Sequence, residues 1–114
     1  TALTLEETRQ LAAGIDGVAM HEEVEDYLLD LVQATRTDSR FLRGVSTRGA
    51  ESLFRVSRAL ALARGRRFVV AEDIQELAVP VLAHRVMVRA DGERPGEGAA
   101  RAIRDLLKDL GISI

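Results

Sequence analysis

The apolar residues of this chain recur at helical spacing almost from end to end, and that periodicity constrains its fold more than any other property. Between about His21 and Thr35, the residues Val24, Tyr27, Leu28, Leu31, Val32 and Thr35 fall at i, i+3, i+4, i+7, i+8 and i+11. They form one stripe down one side of a helix. Glu22, Glu23, Glu25 and Asp26 take its first turn and opposite face, where the positive end of the helix dipole favours carboxylates. A second stripe, Ala50, Leu53, Phe54, Ser57, Leu60 and Ala61, predicts a helix from about Ser46 to Arg64 that Gly65 stops. A third, Ile74, Leu77, Ala78, Val81 and Leu82, predicts a helix from about Ala71 to Val86. The fourth, Ala99, Ala102, Ile103, Leu106, Leu107 and Leu110, predicts one from about Glu97 to Leu110, ended by Gly111. A shorter amphipathic helix around Leu5 to Ala13 precedes them. Pro80 lies well inside the third of these stripes, where a missing N–H costs about 3 kcal/mol in a regular interior. A kink, or a short break near Val79, is expected.

Only two other pieces have strand-like composition, Gly17-Val18-Ala19-Met20 and Phe68-Val69-Val70. Each is long enough for no more than a stub of pairing. The fold class is therefore all-α, a small bundle of four to five helices with at most short extended stubs near 17–20 and 68–70. Its organisation reads as a helical domain over 1–90, a linker-like Gly/Pro-rich loop over 91–98, and a C-terminal helix in 99–114 packed on or tethered to the bundle. The 114 residues suffice for one modest core. The longest uncharged run, Leu77 to His84, falls far short of the roughly 18 apolar residues of a membrane span. The chain has no cysteine, which excludes disulfides, thiolate chemistry and Cys-ligated metals. No signal-like start precedes the first helix, so the cytoplasm is the default address. The chain begins at Thr1 rather than Met, which suggests a piece of something larger.

A net charge of −2 conceals a strong asymmetry. Residues 1–35 carry eight acids against Arg9, a balance of −7, whereas residues 36–67 carry nine arginines against Asp38 and Glu51, a balance of +7. Candidates for catalysis are scarce. His21 and His84 stand alone, without the paired histidine or carboxylate spacing of a metal site. Glu22, Asp26 and Asp30 line up at i+4 intervals but read as a solvated face. Gly44-Val-Ser-Thr-Arg-Gly49 matches the first half of a phosphate-binding loop, yet Ala50 and Glu51 stand where Lys and Ser/Thr are needed. The chain therefore cannot hold Mg-ATP unaided, and no catalytic set or metal site is complete within it. The same segment still holds the best lead. Ser46 suits a helix N-cap, which puts Arg48 in the first turn, where the dipole disfavours a cation by a few tenths of a kcal/mol. A guanidinium there makes sense if it faces an anion beside the exposed N–H groups. A solvated arginine that happens to fall near a helix start is the plainer alternative.

Four segments in order resemble the C-terminal helical lid of the MoxR-type AAA+ ATPases. They are Ser46-Thr47-Arg48-Gly49-Ala50, Ser57 to Arg66, Phe68 to Ile74, and Leu77-Ala-Val-Pro-Val-Leu-Ala-His-Arg85. Upstream, Tyr27 to Arg36 is similar to the helix that opens that lid, so the likeness covers roughly 18–90. The resemblance implies a lid that packs over ATP and Mg2+ bound by a separate P-loop core. A lid arginine called sensor 2, matched here by Arg48, would contact the triphosphate and couple hydrolysis to lid movement. It further implies the core domain of the same polypeptide and neighbouring subunits of a hexameric ring as partners, and chaperone-like remodelling of clients that often carry a von Willebrand A-type domain. Two motifs depart from the family pattern. Thr47 replaces the proline before the arginine and Gly49 the alanine after it, which leaves the turn freer. Val70-Ala71-Glu72-Asp73 keeps two acids of the usual Thr-Pro-Asp-Asp opening but loses its capping hydroxyl, at about 1 kcal/mol.

The alternative function is an independent nucleic-acid-binding module that uses Arg43, Arg48, Arg55, Arg58, Arg64, Arg66 and Arg67 of the 36–67 segment. An isoelectric point near 5.7 and the lack of a stacking set, with one Tyr, three Phe and no Trp, disfavour it.

Overall fold

The computed structural model describes residues 4–89 and 96–111. Of five helices, α1 (Leu5–Asp16), α2 (Glu22–Thr37), α3 (Thr47–Ala63), α4 (Ala71–Leu82) and α5 (Glu97–Leu110), the last four surround one core, and α1 lies beside α3 with its Gly14 against Leu62. Leu28 and Leu31 of α2, Leu53 of α3, Ile74 and Leu82 of α4 and Ile103 of α5 are all fully buried. Each stabilises the fold by about 1.5–3 kcal/mol. These residues come from the periodic stripes, so the helical spacing is what assembles the bundle. The carboxylates on the opposite side of α2 stay exposed.

Helix ends follow local chemistry. Thr4 caps α1 by accepting from the Glu7 N–H at 3.0 Å while Glu7 reaches back to the Thr4 N–H at 3.1 Å. This reciprocal box fixes the start of α1, and the helix runs to Asp16, three residues past the expected Ala13, where the Gly17 N–H closes it on the Ala13 and Gly14 carbonyls. At the other end of α3, Gly65 adopts φ +76°, and the Gly65 and Arg66 N–H groups return to the Leu62 and Ala61 carbonyls. That paired closure needs a left-handed residue, which glycine supplies.

Pro80 does not break α4. The helix runs two residues past it to Leu82 and then tightens into a 3₁₀ turn over Ala83–Arg85. Proline falls in the last turn, so the one bond it removes would end on the carbonyl of Glu76, an exposed residue. The helix therefore stops four residues short of the expected Val86.

The two extended stubs meet each other. The Ala19 N–H donates to the Arg67 carbonyl at 2.8 Å and the Val69 N–H to the Ala19 carbonyl at 3.0 Å, a single parallel bridge. A second extended pair lies outside the expected stubs: β1 (Phe41–Arg43) runs antiparallel to β2 (Met87–Val88). It closes because the end of α4 delivers β2 beside the α2–α3 connection. At the C-terminal side α5 begins at Glu97, inside the stretch read as linker, and Gly96 is its N-cap. Residues 91–95 of that stretch lie outside the described residues.

Candidate functional site

The start of α3 is built from the end of α2. Thr35, fully buried, donates its hydroxyl to the Val32 carbonyl at 2.6 Å and accepts from the Val45 N–H at 3.0 Å. Arg36 Nε donates to the Val45 carbonyl at 2.8 Å. Both backbone groups of Val45 are thus held by adjacent residues of α2. Gly44 makes that approach possible, since a Cβ there would lie 2.5 Å from the Thr35 carbonyl oxygen. One residue later Ser46 caps α3, its Oγ accepting from the Gly49 N–H at 3.2 Å.

Gly49, which stands in place of the family's alanine, is buried. A Cβ on it would come within 2.8 Å of Val45 Cγ1 and 3.3 Å of Arg85 Cδ. The residue is small because Val45 and the aliphatic stem of Arg85 close over the first turn of α3. Packing therefore confines this turn despite the missing proline. Arg48, between the cap and Gly49, is exposed and forms no ion pair among the described residues. Arg85 is also exposed at the same end and likewise has no carboxylate partner. The result is a helix N-terminus with uncompensated guanidinium groups near it, an arrangement suited to anions. Sequence reasoning missed Arg36 and Arg85 here, because only the tertiary fold brings them beside residues 45–49.

From Arg48 a groove runs along α3, lined by Arg48, Glu51, Ser52, Phe54, Arg55 and Arg58. The other candidate arginines serve elsewhere. Arg66 grips the buried carboxylate of Asp73 with two bonds, of 2.7 and 2.8 Å, and also donates to the Phe68 carbonyl. Arg64 reaches Asp73 at 3.5 Å and pairs with Glu76. Asp73 in turn accepts from the Val70 N–H at 2.9 Å. The carboxylate thereby supplies its own half of the α4 capping box, and the half that needs an N-cap hydroxyl stays absent at Val70. Burial pushes the Asp73 carboxyl upward, but the Arg66 bonds, the Val70 N–H and the nearby Arg64 charge outweigh it and hold the group below its ordinary value.

His21 is the exposed N-cap of α2, with its ring 6.3 Å from that of Phe68. His84 is exposed in the 3₁₀ turn. Among the described residues there is no group of three or more His, Asp or Glu side chains arranged to hold a metal ion, and no helix is long and apolar enough to cross a membrane.

This small helical bundle is that of an AAA lid: the chain belongs to the AAA lid domain family, whose sequence model matches residues 33–106. Within that family it is of the MoxR type. It is 32% identical over 109 residues to the protein MoxR of Paracoccus denitrificans, covering 83% of this chain and 32% of that protein. Against the Mycobacterium tuberculosis chaperone MoxR1 it is 31% identical over 81 residues, 63% of this chain and 22% of the relative. The Bacillus subtilis protein YeaC is 29% identical over 100 residues, 88% of this chain and 31% of the relative. A crystal structure described as a candidate ATPase from Cytophaga hutchinsonii superposes with a TM-score of 0.78 at 33% identity, over 90% of this chain and 34% of that one. The chain thus spans about a third of the length of the first curated relatives it matches.

Proposed function

We propose that this lid closes over ATP and Mg2+ held by a separate P-loop core of the same polypeptide, senses the triphosphate through Arg48, and couples hydrolysis to chaperone-like remodelling of a protein client. The observation that carries the reading is Arg48 itself, exposed in the first turn of α3 without an internal carboxylate partner. The residues present fit a polyphosphate in kind: a guanidinium fork and a helix start attract it, while the chain's Gly44–Gly49 segment lacks the lysine that would cradle it. Bound nucleotide would supply the anionic oxygens. Arg48 would neutralise part of that charge, and Ser46 would keep the turn that carries it closed.

Coupling follows from how that turn is held. A force on Arg48 passes through Val45 to Thr35 and Arg36 on α2. It also passes through Gly49 to Arg85 beyond α4. Engagement of a phosphate would therefore move the bundle rather than one side chain. The wider setting we infer is a cytoplasmic, hexameric ring with a client that carries a von Willebrand A-type domain, and the chaperone name of the Mycobacterium tuberculosis relative supports a remodelling role.

The test is Arg48→Ala in the complete ATPase. Loss of one charge-assisted contact of about 2 kcal/mol should depress turnover roughly thirtyfold. Full turnover in that variant, with the protein folded, would overturn the assignment. A nucleic-acid role is disfavoured, since Arg64 and Arg66 of its seven arginines are engaged with Asp73.

A further inference from the structure

The charge asymmetry of the sequence persists as two unsatisfied surfaces. None of the acids of α2 and none of the arginines of the α3 groove takes part in an ion pair among the described residues. On α2 the exposed carboxylates Glu22, Asp26 and Asp30 form a row about 12 Å long at 1.5 Å per residue. The helix dipole explains acids in the first turn, but Asp30 lies beyond its reach. Leu29, 43% exposed, sits among these carboxylates. On α3, Arg48 to Arg58 spans about 15 Å, and the half-buried Phe54 lines the groove between the arginines. Arg58 Nε is shielded from water and donates to nothing.

We infer that the α2 carboxylate row of one copy seats in the α3 arginine groove of a second copy, with Leu29 set against Phe54. The argument for a second copy rather than another protein is complementarity on three counts. Glu22, Asp26 and Asp30 give the α2 row a balance of −3, and Arg48, Arg55 and Arg58 against Glu51 give the groove +2. The rows are of similar length, and each has one apolar residue among its charges. A net charge of only −2 lets copies approach. Such a contact is reciprocal in a two-fold pair or open-ended in a head-to-tail array. It goes beyond the nucleotide reading, because it assigns Arg55 and Arg58, which that reading leaves unused, and takes Arg48 as the end of the same row.

Two variants of the 114-residue chain test the pairing. Arg55→Glu/Arg58→Glu makes both surfaces acidic, and Asp26→Arg/Asp30→Arg makes both basic. By sedimentation velocity, the unaltered chain should associate with rising concentration at about 0.01 M salt and dissociate at about 1 M. Each variant alone should associate at least about tenfold more weakly, and an equimolar mixture should recover association, because each then offers what the other lacks. Thermal melts of all the chains keep a folding defect separate from a lost contact. Either variant associating as strongly as the unaltered chain, or a folded mixture that stays monomeric, would overturn the inference. So would an unaltered chain that stays monomeric at low salt, and duplex DNA retained by that monomer would assign the groove to nucleic acid instead.

Discussion

Removing Arg66 should harm this fold more than neutralising the acid it binds, although Arg66 is the more exposed partner. The side chain of Asp73 is fully buried, whereas those of Arg66 and Arg64 are 24% and 44% exposed. Arg66→Ala leaves a buried carboxylate with the Val70 N–H at 2.9 Å and one arginine at 3.5 Å. Breaking a buried pair from that side costs about 3–5 kcal/mol, and the remaining Arg64 places this case near 3. Asp73→Asn instead keeps an acceptor for Val70 and leaves two arginines that water can reach. Its cost is the charge-assisted part of the bonds, about 1–1.5 kcal/mol. Arg66→Ala/Asp73→Asn should then be more stable than Arg66→Ala alone, because the uncompensated charge is gone. Urea denaturation of the four proteins at neutral pH measures the cycle. As pH falls the Arg66→Ala penalty should shrink, since burial then acts on an Asp73 that has lost its largest compensating bonds, and a protonated carboxyl is no longer a buried anion. Equal costs for the two single variants, or strict additivity in the double variant, would refute this account of the contact.

Gly44→Ala should destabilise by about 1–3 kcal/mol, because its methyl would lie 2.5 Å from the Thr35 carbonyl oxygen in rigid backbone; a thermal melt reads this directly. Thr35→Val keeps the shape but removes the acceptor of the Val45 N–H, so about 1–3 kcal/mol should be lost, and in the complete ATPase nucleotide-dependent lid movement should weaken with it. Acid should destabilise the domain in a definite window. The bonds from Arg40 hold Asp38 at about 2, below an ordinary value of 3.8, and Asp73 is also depressed. Both therefore contribute stability that is fully present above about pH 4 and lost as pH falls through their lowered values. A flat urea midpoint from pH 5 to about 2 would contradict these assignments.

What could be read from the residue order was whatever a helix decides locally. The stripes of α2, α3 and α5 repeat every turn, so Leu28, Leu53 and Ile103 were identifiable as core before any neighbour was known. The Thr4–Glu7 box is local chemistry of the same kind, its two members three residues apart, although it was not among the sequence expectations. Contacts that depend on distant segments left no such trace. The β1–β2 pair joins residues more than forty positions apart, and its strands of three and two residues are too short to show an alternating pattern. Thr35 scored as one more member of a stripe, while its hydroxyl decides where α3 starts. Asp73 read as an ordinary first-turn acid, although Arg66 and Arg64 make it a buried junction. Arg48 differs from all of these because it was visible as a violation: a cation at the positive end of a helix has a local cost and no local compensation. Among the described residues no carboxylate pairs with it, which is why the proposed function rests on it. Asp30 is a second such case, a carboxylate too far along α2 for the dipole to explain and without an arginine partner among the described residues.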